Sequence, residues 1–368
     1  MDEGLSRKFK FYSFISMFLL VFVHGYNLNN RYLQPFTVVD EAMTMNAFLQ
    51  YFLANGLLRF RIPMLFAISG FLFALGDSKP YRERIGKRAR TLLAPYVLWS
   101  AAGLLLTLLL EQWALTRAAV VEASLWPFPE KRILDYSLVE WLVRLLLAPL
   151  PFQLWFIRCL FIYNLIYPWL KKAVTRFPKT TLGVAGFLWL TEFHLWFLEG
   201  EGLLFFSLGI CLCKREIDLR KHPRRWALGA LGYAWVGAAA VKTVIAFNGH
   251  LLGMPIQPLL LLLHKFVVLS GLVTVWYGFD RVVDFFMARR WFVWLSAFSF
   301  MIYVLHAPLV NYAMTLVFPY GAGVPHFRLA MFVLLPLGVI AVCVLTGAAL
   351  RRLAPKAYGL LTGGRGLA

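Results

Sequence analysis

Acidic residues are few in this chain. Only 18 Asp and Glu stand against 37 Lys and Arg, and charged residues of either sign fill 15% of its 368 positions. So little charge, with 60% hydrophobic residues and a mean hydropathy of +0.68, excludes an ordinary water-soluble globular domain. The net charge of +19 is spread in short clusters between apolar runs. That pattern argues against a nucleic-acid-binding face and matches the orientation signals of a membrane protein. Cysteine is equally sparse. Cys159, Cys211, Cys213 and Cys343 show no CxxC spacing, and residues two apart on a helix point to nearly opposite sides. No metal site is expected, and the four read as helix-packing residues. The first apolar run lacks a small-x-small cleavage site and ends in His24-Gly25-Tyr26-Asn27, so it reads as a retained helix rather than a signal peptide. Repeats, low-complexity tracts and a soluble domain are also missing, which leaves a single polytopic domain over 1–368.

What the chain does have is a series of apolar segments of spanning length: 9–27, 56–76, 90–111, 153–170, 179–198, 201–213, 226–247, 256–279, 291–313 and 327–350. Loop charge tests this reading independently. The N-terminus carries Arg7, Lys8 and Lys10, the second connection runs from Lys79 to Arg90, and Lys171 to Lys179, Lys214 to Arg225 and Arg281 to Arg290 follow. Every even-numbered connection is basic, whereas Glu122, Glu130, Asp135 and Glu140 in the third and Glu192, Glu199 and Glu201 in the fifth make the odd ones mixed or acidic. The expected fold is therefore an all-α integral membrane protein of about ten transmembrane helices, with both termini cytoplasmic. Of the two long outer stretches, 28–55 and 112–152, the second is expected to hold an interfacial amphipathic helix around Leu138–Leu147.

Charge inside a bilayer is costly, so ionisable residues at membrane depth are functional candidates. His24 lies 15 positions after Phe9, roughly 22 Å along a helix, and His306 lies 15 positions after Trp291. Arg59 and Arg61 open the second segment from the outer side, and Gln153, Trp155 and Arg158 open the fourth. Lys242, His264 and Lys265 fall at comparable depth. Each has an ordinary alternative: a helix-to-helix hydrogen bond for His24 and His306, an interfacial anchor for Arg59, snorkelling for Lys242 and Lys265, and solvation for Glu192 and His194.

The same residues carry a family resemblance. Val21-Phe22-Val23-His24 is followed by Arg61-Ile62-Pro63-Met64-Leu65-Phe66 and Ser69-Gly70-Phe71. Then come Arg88 through Pro95-Tyr96 and Trp99, Leu154-Trp155-Phe156 with Pro168, Phe206 with Gly209, and Ser299-Phe300-Met301-Ile302-Tyr303-Val304-Leu305-His306. In this order, over nearly the whole chain, they resemble the membrane-bound acyltransferase 3 family, whose members O-acetylate or O-succinylate extracytoplasmic glycans. Many members carry Arg eleven positions before the first-helix His; here that position is Ser13, and Arg7, Lys8 or Lys10 is the expected substitute.

The resemblance implies transfer of an acetyl or succinyl group from cytoplasmic acyl-CoA, a donor substrate rather than a resident cofactor, to a hydroxyl of a glycan or glycolipid. It places the protein in the bacterial inner membrane, with the lipid bilayer as its other partner. His24 is the expected general base, because an alcohol attacks poorly unless its proton is taken, and Arg61 or His306 would steady the oxyanion. Arg59, Trp155, Arg158, Ser69 and Lys265 would bind substrate, and Arg84, Arg88 and Arg90 would meet the donor's phosphates. The alternative is a transporter or flippase working through intramembrane His and Arg. Against it stands a scarcity of intramembrane carboxylates: Glu111 closes the apolar segment in which it falls.

Overall fold

A computed structural model describes residues 2–28, 33–123, 131–195, 198–253, 255–321 and 323–367. Helices dominate in chain order: α1 (Glu3–His24), α2 (Met45–Tyr51), α3 (Arg61–Leu75), α4 (Tyr81–Arg88), α5 (Ala94–Leu110), α6 (Ala114–Ala123), α7 (Leu138–Leu146), α8 (Trp155–Leu165) and α9 (Tyr167–Arg176). They continue with α10 (Pro178–Leu190), α11 (Gly200–Lys214), α12 (Arg225–Asn248), α13 (Gln257–Gly278), α14 (Asp280–Met287), α15 (Arg290–Ser296), α16 (Ser299–Val317), α17 (Phe327–Leu353) and α18 (Pro355–Thr362). Between α10 and α11, β1 (His194–Leu195) pairs antiparallel with β2 (Leu198–Glu199). Glu130 of the third connection lies outside the described residues.

Among the described residues six helical stretches are long and apolar enough to cross a bilayer: Met45–Ser78, Tyr81–Leu110, Arg225–Leu252, Gln257–Gly278, Ser299–Gly321 and Phe327–Leu353. Large apolar side chains such as Phe187, Tyr233, Leu334 and Leu345 stay exposed, as lipid contact requires. This is a multi-pass membrane protein of the all-α class, with one short pair of strands.

Several segments differ from expectation, each for a local reason. The fourth breaks at Ile166, where Pro168 opens α9 and can donate no helical hydrogen bond. The fifth stops at Leu190 and turns at Glu192, whose φ of 52° is left-handed. The ninth is two helices, because α15 ends at Ser296, where the Ser296 hydroxyl bonds back to the Val293 carbonyl at 2.7 Å. Depth counted from Trp291 along one helix therefore does not apply to His306, which lies seven residues into α16. The amphipathic helix is present as α7. Ser137 and Glu140 form a reciprocal capping box at its start, and Leu138, Val139 and Leu142 are exposed, as on an interfacial helix.

Contacts gather the chain into two compact units, 1–85 with 162–296, and 86–161 with 297–368. In the first, α3 packs most extensively against α11. A Cβ on Gly70 would stand 2.1 Å from the Phe206 carbonyl oxygen, and one on Gly209 would stand 2.1 Å from that of Ala67. Only glycine lets the two backbones approach this closely. Alongside α3 runs α1, with Phe9 on Phe71 at 5.3 Å, and the Tyr12 hydroxyl donates to the Val275 carbonyl of α13. In the second unit α16 packs on α17, and α18 packs on α5. There Tyr96 Oη donates to the Leu146 carbonyl at 2.8 Å and Trp99 Nε1 to that of Leu361 at 2.9 Å.

Candidate active site

The helix ahead of α3 is irregular, and that irregularity builds the polar centre of the first unit. Phe52–Gly56 form a π-turn and Leu57–Phe60 a 3₁₀ turn, so backbone carbonyls that a regular α-helix would consume are released to side chains. The Asn55 carbonyl accepts from Lys242 Nζ at 2.5 Å. Asn55 Oδ1 accepts from Arg59 Nη2, and the Leu58 carbonyl accepts from Arg61 Nε. Lys242 is fully buried, with its ammonium 5.6 Å from the Tyr51 ring. It does not snorkel; it turns inward because Asn55 offers an acceptor within the protein.

Lys265 does not snorkel either. It is 3% exposed, pairs with the Glu192 carboxylate and lies 4.5 Å over Trp189. Glu192 also faces His194 Nε2 at 3.3 Å, so the expected solvated pair is joined to the cluster through Lys265. Trp189 Nε1 donates to Glu201 Oε2 at 3.2 Å, and Glu201 has Lys265, Glu192 and Arg59 as electrostatic neighbours. Arg59 is likewise a neighbour of Arg61, Lys242 and His264. Four cations thus share one centre with two carboxylates. Arg59 Nε and Arg61 Nη1 have no hydrogen-bond partner among the described residues.

His24 is the last residue of α1, half-buried and followed by Gly25 as C-cap. Beyond it the Asn27 N–H donates to Gln50 Oε1 at 2.6 Å, and Gln50 Nε2 donates to Asn46 Oδ1 at 2.8 Å. Tyr26 is an electrostatic neighbour of Arg59. His24 therefore belongs to the same unit as Arg59, Arg61 and Lys265, and α1 packs against both irregular turns. Ser69 lies apart, about 12 Å along α3 from Arg61, half-buried next to the Gly70 crossing.

Trp155, Arg158 and His306 belong to the second unit. Pro308 lacks an N–H, so the Val304 carbonyl four residues earlier has no helical donor. Gln153 Nε2 supplies one at 2.8 Å, and Tyr303 Oη donates to the Gln153 carbonyl at 2.6 Å. His306 is fully buried, with Nδ1 3.0 Å from the Ile302 oxygen and 2.8 Å from the Tyr303 oxygen. Facing two acceptors, Nδ1 carries a proton, so that in a neutral ring Nε2 would be the basic nitrogen. Arg158 Nη1 donates to the Leu147 carbonyl, and Trp155 is half-buried with its ring 6.0 Å from Phe156.

The expected phosphate-binding arginines part company. Arg84 is spent within the protein, pairing with Asp77 at 2.5 Å, donating to the Phe73 carbonyl and lying 4.0 Å over the Phe73 ring. Asp77 also binds Lys171 at 2.7 Å and Lys214 at 2.5 Å, so one carboxylate ties together three basic side chains. Arg90 is exposed, and Arg88 is half-buried beside Arg365. Of the basic residues expected to replace the missing arginine at Ser13, Lys8 is also committed: it is buried, pairs with Asp280 at 2.5 Å and sits 4.6 Å over Trp276. Among the described residues no group of three or more His, Cys, Asp or Glu could hold a metal ion.

The family model described as an acyltransferase domain, acyltransferase family 3, matches residues 8–348. The chain belongs to the acyltransferase 3 family. It is also 25% identical, over 374 residues, to the succinoglycan biosynthesis protein ExoH of Rhizobium meliloti (strain 1021), a match covering 99% of this chain and 94% of that protein. No solved structure matches. The sequence singled out Arg59, Arg61, Lys242 and Lys265, which the structure brings together in the first unit, but it missed Glu201, Asn55 and Tyr303 as parts of these networks. Asn55-Gly56, interrupting an apolar run, and Glu201, opening one, were the signals that could have found them.

Proposed function

We propose that this acyltransferase 3 protein moves an acetyl or succinyl group from cytoplasmic acyl-CoA to a hydroxyl of an extracytoplasmic glycan or glycolipid. The membrane is the bacterial inner membrane, crossed about ten times with both termini inside. The reading rests above all on the cluster in the first unit, which gathers four cations, two carboxylates and two incompletely bonded guanidinium groups in a chain of this family. His24 takes the proton of the sugar hydroxyl as its oxygen attacks the thioester carbonyl. Arg61 stabilises the oxyanion, whose collapse breaks the C–S bond and releases CoA as the thiolate, which is then protonated. In the second unit His306, with its Nε2 lone pair, is the other candidate for work on protons. The surplus of cations favours an acyl group that itself bears a carboxylate, hence succinyl over acetyl, and the printed name of the Rhizobium relative favours a polysaccharide acceptor.

The experiment is mass spectrometry of extracytoplasmic glycans and lipids from cells with the wild-type gene, without it, and with His24→Ala whose membrane insertion has been verified. Loss of an acyl mass in the last two supports the reading. Retention of that mass with His24→Ala would remove the general base from the mechanism. Retention without the gene would favour the transporter alternative, for which Glu201 in the cluster supplies a carboxylate.

A further inference from the structure

Between α9, α10 and α11 lies a groove of about 550 Å3 lined by Leu170, Phe177, Thr181, Val184, Leu203 and Ser207. Its size is that of a small-molecule site. Ser207 is fully buried, yet its hydroxyl has no hydrogen-bond partner among the described residues. Several mid-helix hydroxyls in this protein, those of Thr243, Ser270 and Thr315, donate to the carbonyl four residues back, whereas those of Ser16, Thr274 and Ser207 have no partner among the described residues. Of these three, Ser207 lines this groove.

One end of the groove is the α9–α10 corner, where Lys172, Arg176 and Lys179 are exposed and no Asp or Glu occurs between Tyr167 and Thr191. The Arg176 guanidinium sits 5.2 Å from the ring of Phe177, on the rim. Lys172 and Arg176 stand four residues apart on one face of α9, the pattern of a helix at headgroup level. Its successor α10 has 13 residues, about 20 Å of helix, against a hydrocarbon thickness of about 30 Å. A short wall of this kind leaves adjoining lipid to adapt.

We propose that this groove holds one anionic phospholipid. Its phosphate lies between Arg176 and Lys179, an acyl chain runs along Val184 and Leu203, and the Ser207 hydroxyl donates to an ester carbonyl. The carboxylate of Asp77 reaches the start of α9 but is already taken up by Lys171, Lys214 and Arg84, and the α9–α10 corner itself carries no acidic residue, so the site discriminates between lipids by charge. The inference is independent of the acyl-transfer reading and is tested by binding alone.

Full-length protein, delipidated in detergent, is titrated with dioleoylphosphatidylglycerol or dioleoylphosphatidylethanolamine and the bound lipid is read by native mass spectrometry. The glycerol lipid is expected to bind about tenfold more tightly or better, given the contribution of each nearby cation. Arg176→Gln with Lys179→Gln should bring the ratio close to one, and Ser207→Leu should weaken both lipids. Should Ser207→Leu fail to fold, Val184→Trp fills the groove from its exposed rim. Equal binding of the two lipids by wild type, or a preference that survives the double substitution, overturns the proposal. So does a dimer that Val184→Trp disrupts in protein that binds neither lipid, which would mean that a second copy covers the groove.

Discussion

Buried cations in this protein are held by backbone carbonyls as much as by carboxylates. Lys242 on the Asn55 carbonyl and Arg61 on that of Leu58 both exploit irregular turns, which cost less than an isolated charge in hydrocarbon because the freed carbonyls also need donors. Arg61 keeps a guanidinium nitrogen without a hydrogen-bond partner among the described residues, which the proposed oxyanion role requires. Arg61→Ala is expected to lower kcat for acyl transfer in proteoliposomes by roughly 10²–10³-fold, the usual loss on removing an oxyanion donor. Arg61→Lys should recover only part, since an ammonium lacks the planar fork. An unchanged kcat in the alanine variant would eliminate this role.

Among the elements, the α3–α11 crossing is the tightest joint. Gly209→Leu drives a side chain into the Ala67 carbonyl 2.1 Å from its own Cβ position, and overpacking of this kind costs about 1–3 kcal/mol or more. A clear fall in the melting temperature of detergent-solubilised protein should follow, whereas Gly183→Ala, open on α10, should leave it unchanged or slightly raised. Equal melting of both variants would disprove the close approach. The α7 cap answers to pH: hydrogen bonds from Lys131 and Ser137 hold the Glu140 carboxyl down at about 2. A depressed carboxyl stabilises above its ordinary range near 4.5 and loses that effect as pH falls towards 2. Amides of α7 should therefore exchange hydrogen faster, relative to α5, as pH drops through this window, after correction for intrinsic exchange; in Glu140→Gln the relative change should disappear.

For the whole molecule, the basic clusters make orientation a testable quantity. Single cysteines placed in the α9–α10 corner and in the tail after Leu353, in a chain freed of its four native cysteines, should react with a membrane-impermeant maleimide only after the cells are opened. A cysteine in the 131–137 stretch should react in intact spheroplasts. Labelling of the tail from outside would refute an even number of spans. Arg365 adds a constraint, since it donates to the Thr91 carbonyl at 2.7 Å. Burial, with Arg88 nearby, pulls its pKa down to about 10, so part of the basic tail is packed into the second unit rather than left to the lipid surface.

Residence in a membrane, the helical class, the amphipathic α7 and the placing of His24 at a helix end were all legible in the sequence. Each follows from a local property: mean hydropathy, helical periodicity or the point where an apolar run stops. Tertiary structure alone decided that Lys242 and Lys265 turn inward, that Glu201 joins Arg59 and Lys265, that Arg84 is consumed by Asp77, and that Gln153 answers the carbonyl exposed by Pro308. A charge or carbonyl inside a membrane protein is satisfied by whichever helix lies beside it, and neighbours brought together from as far as 187 residues away leave no mark in the local pattern.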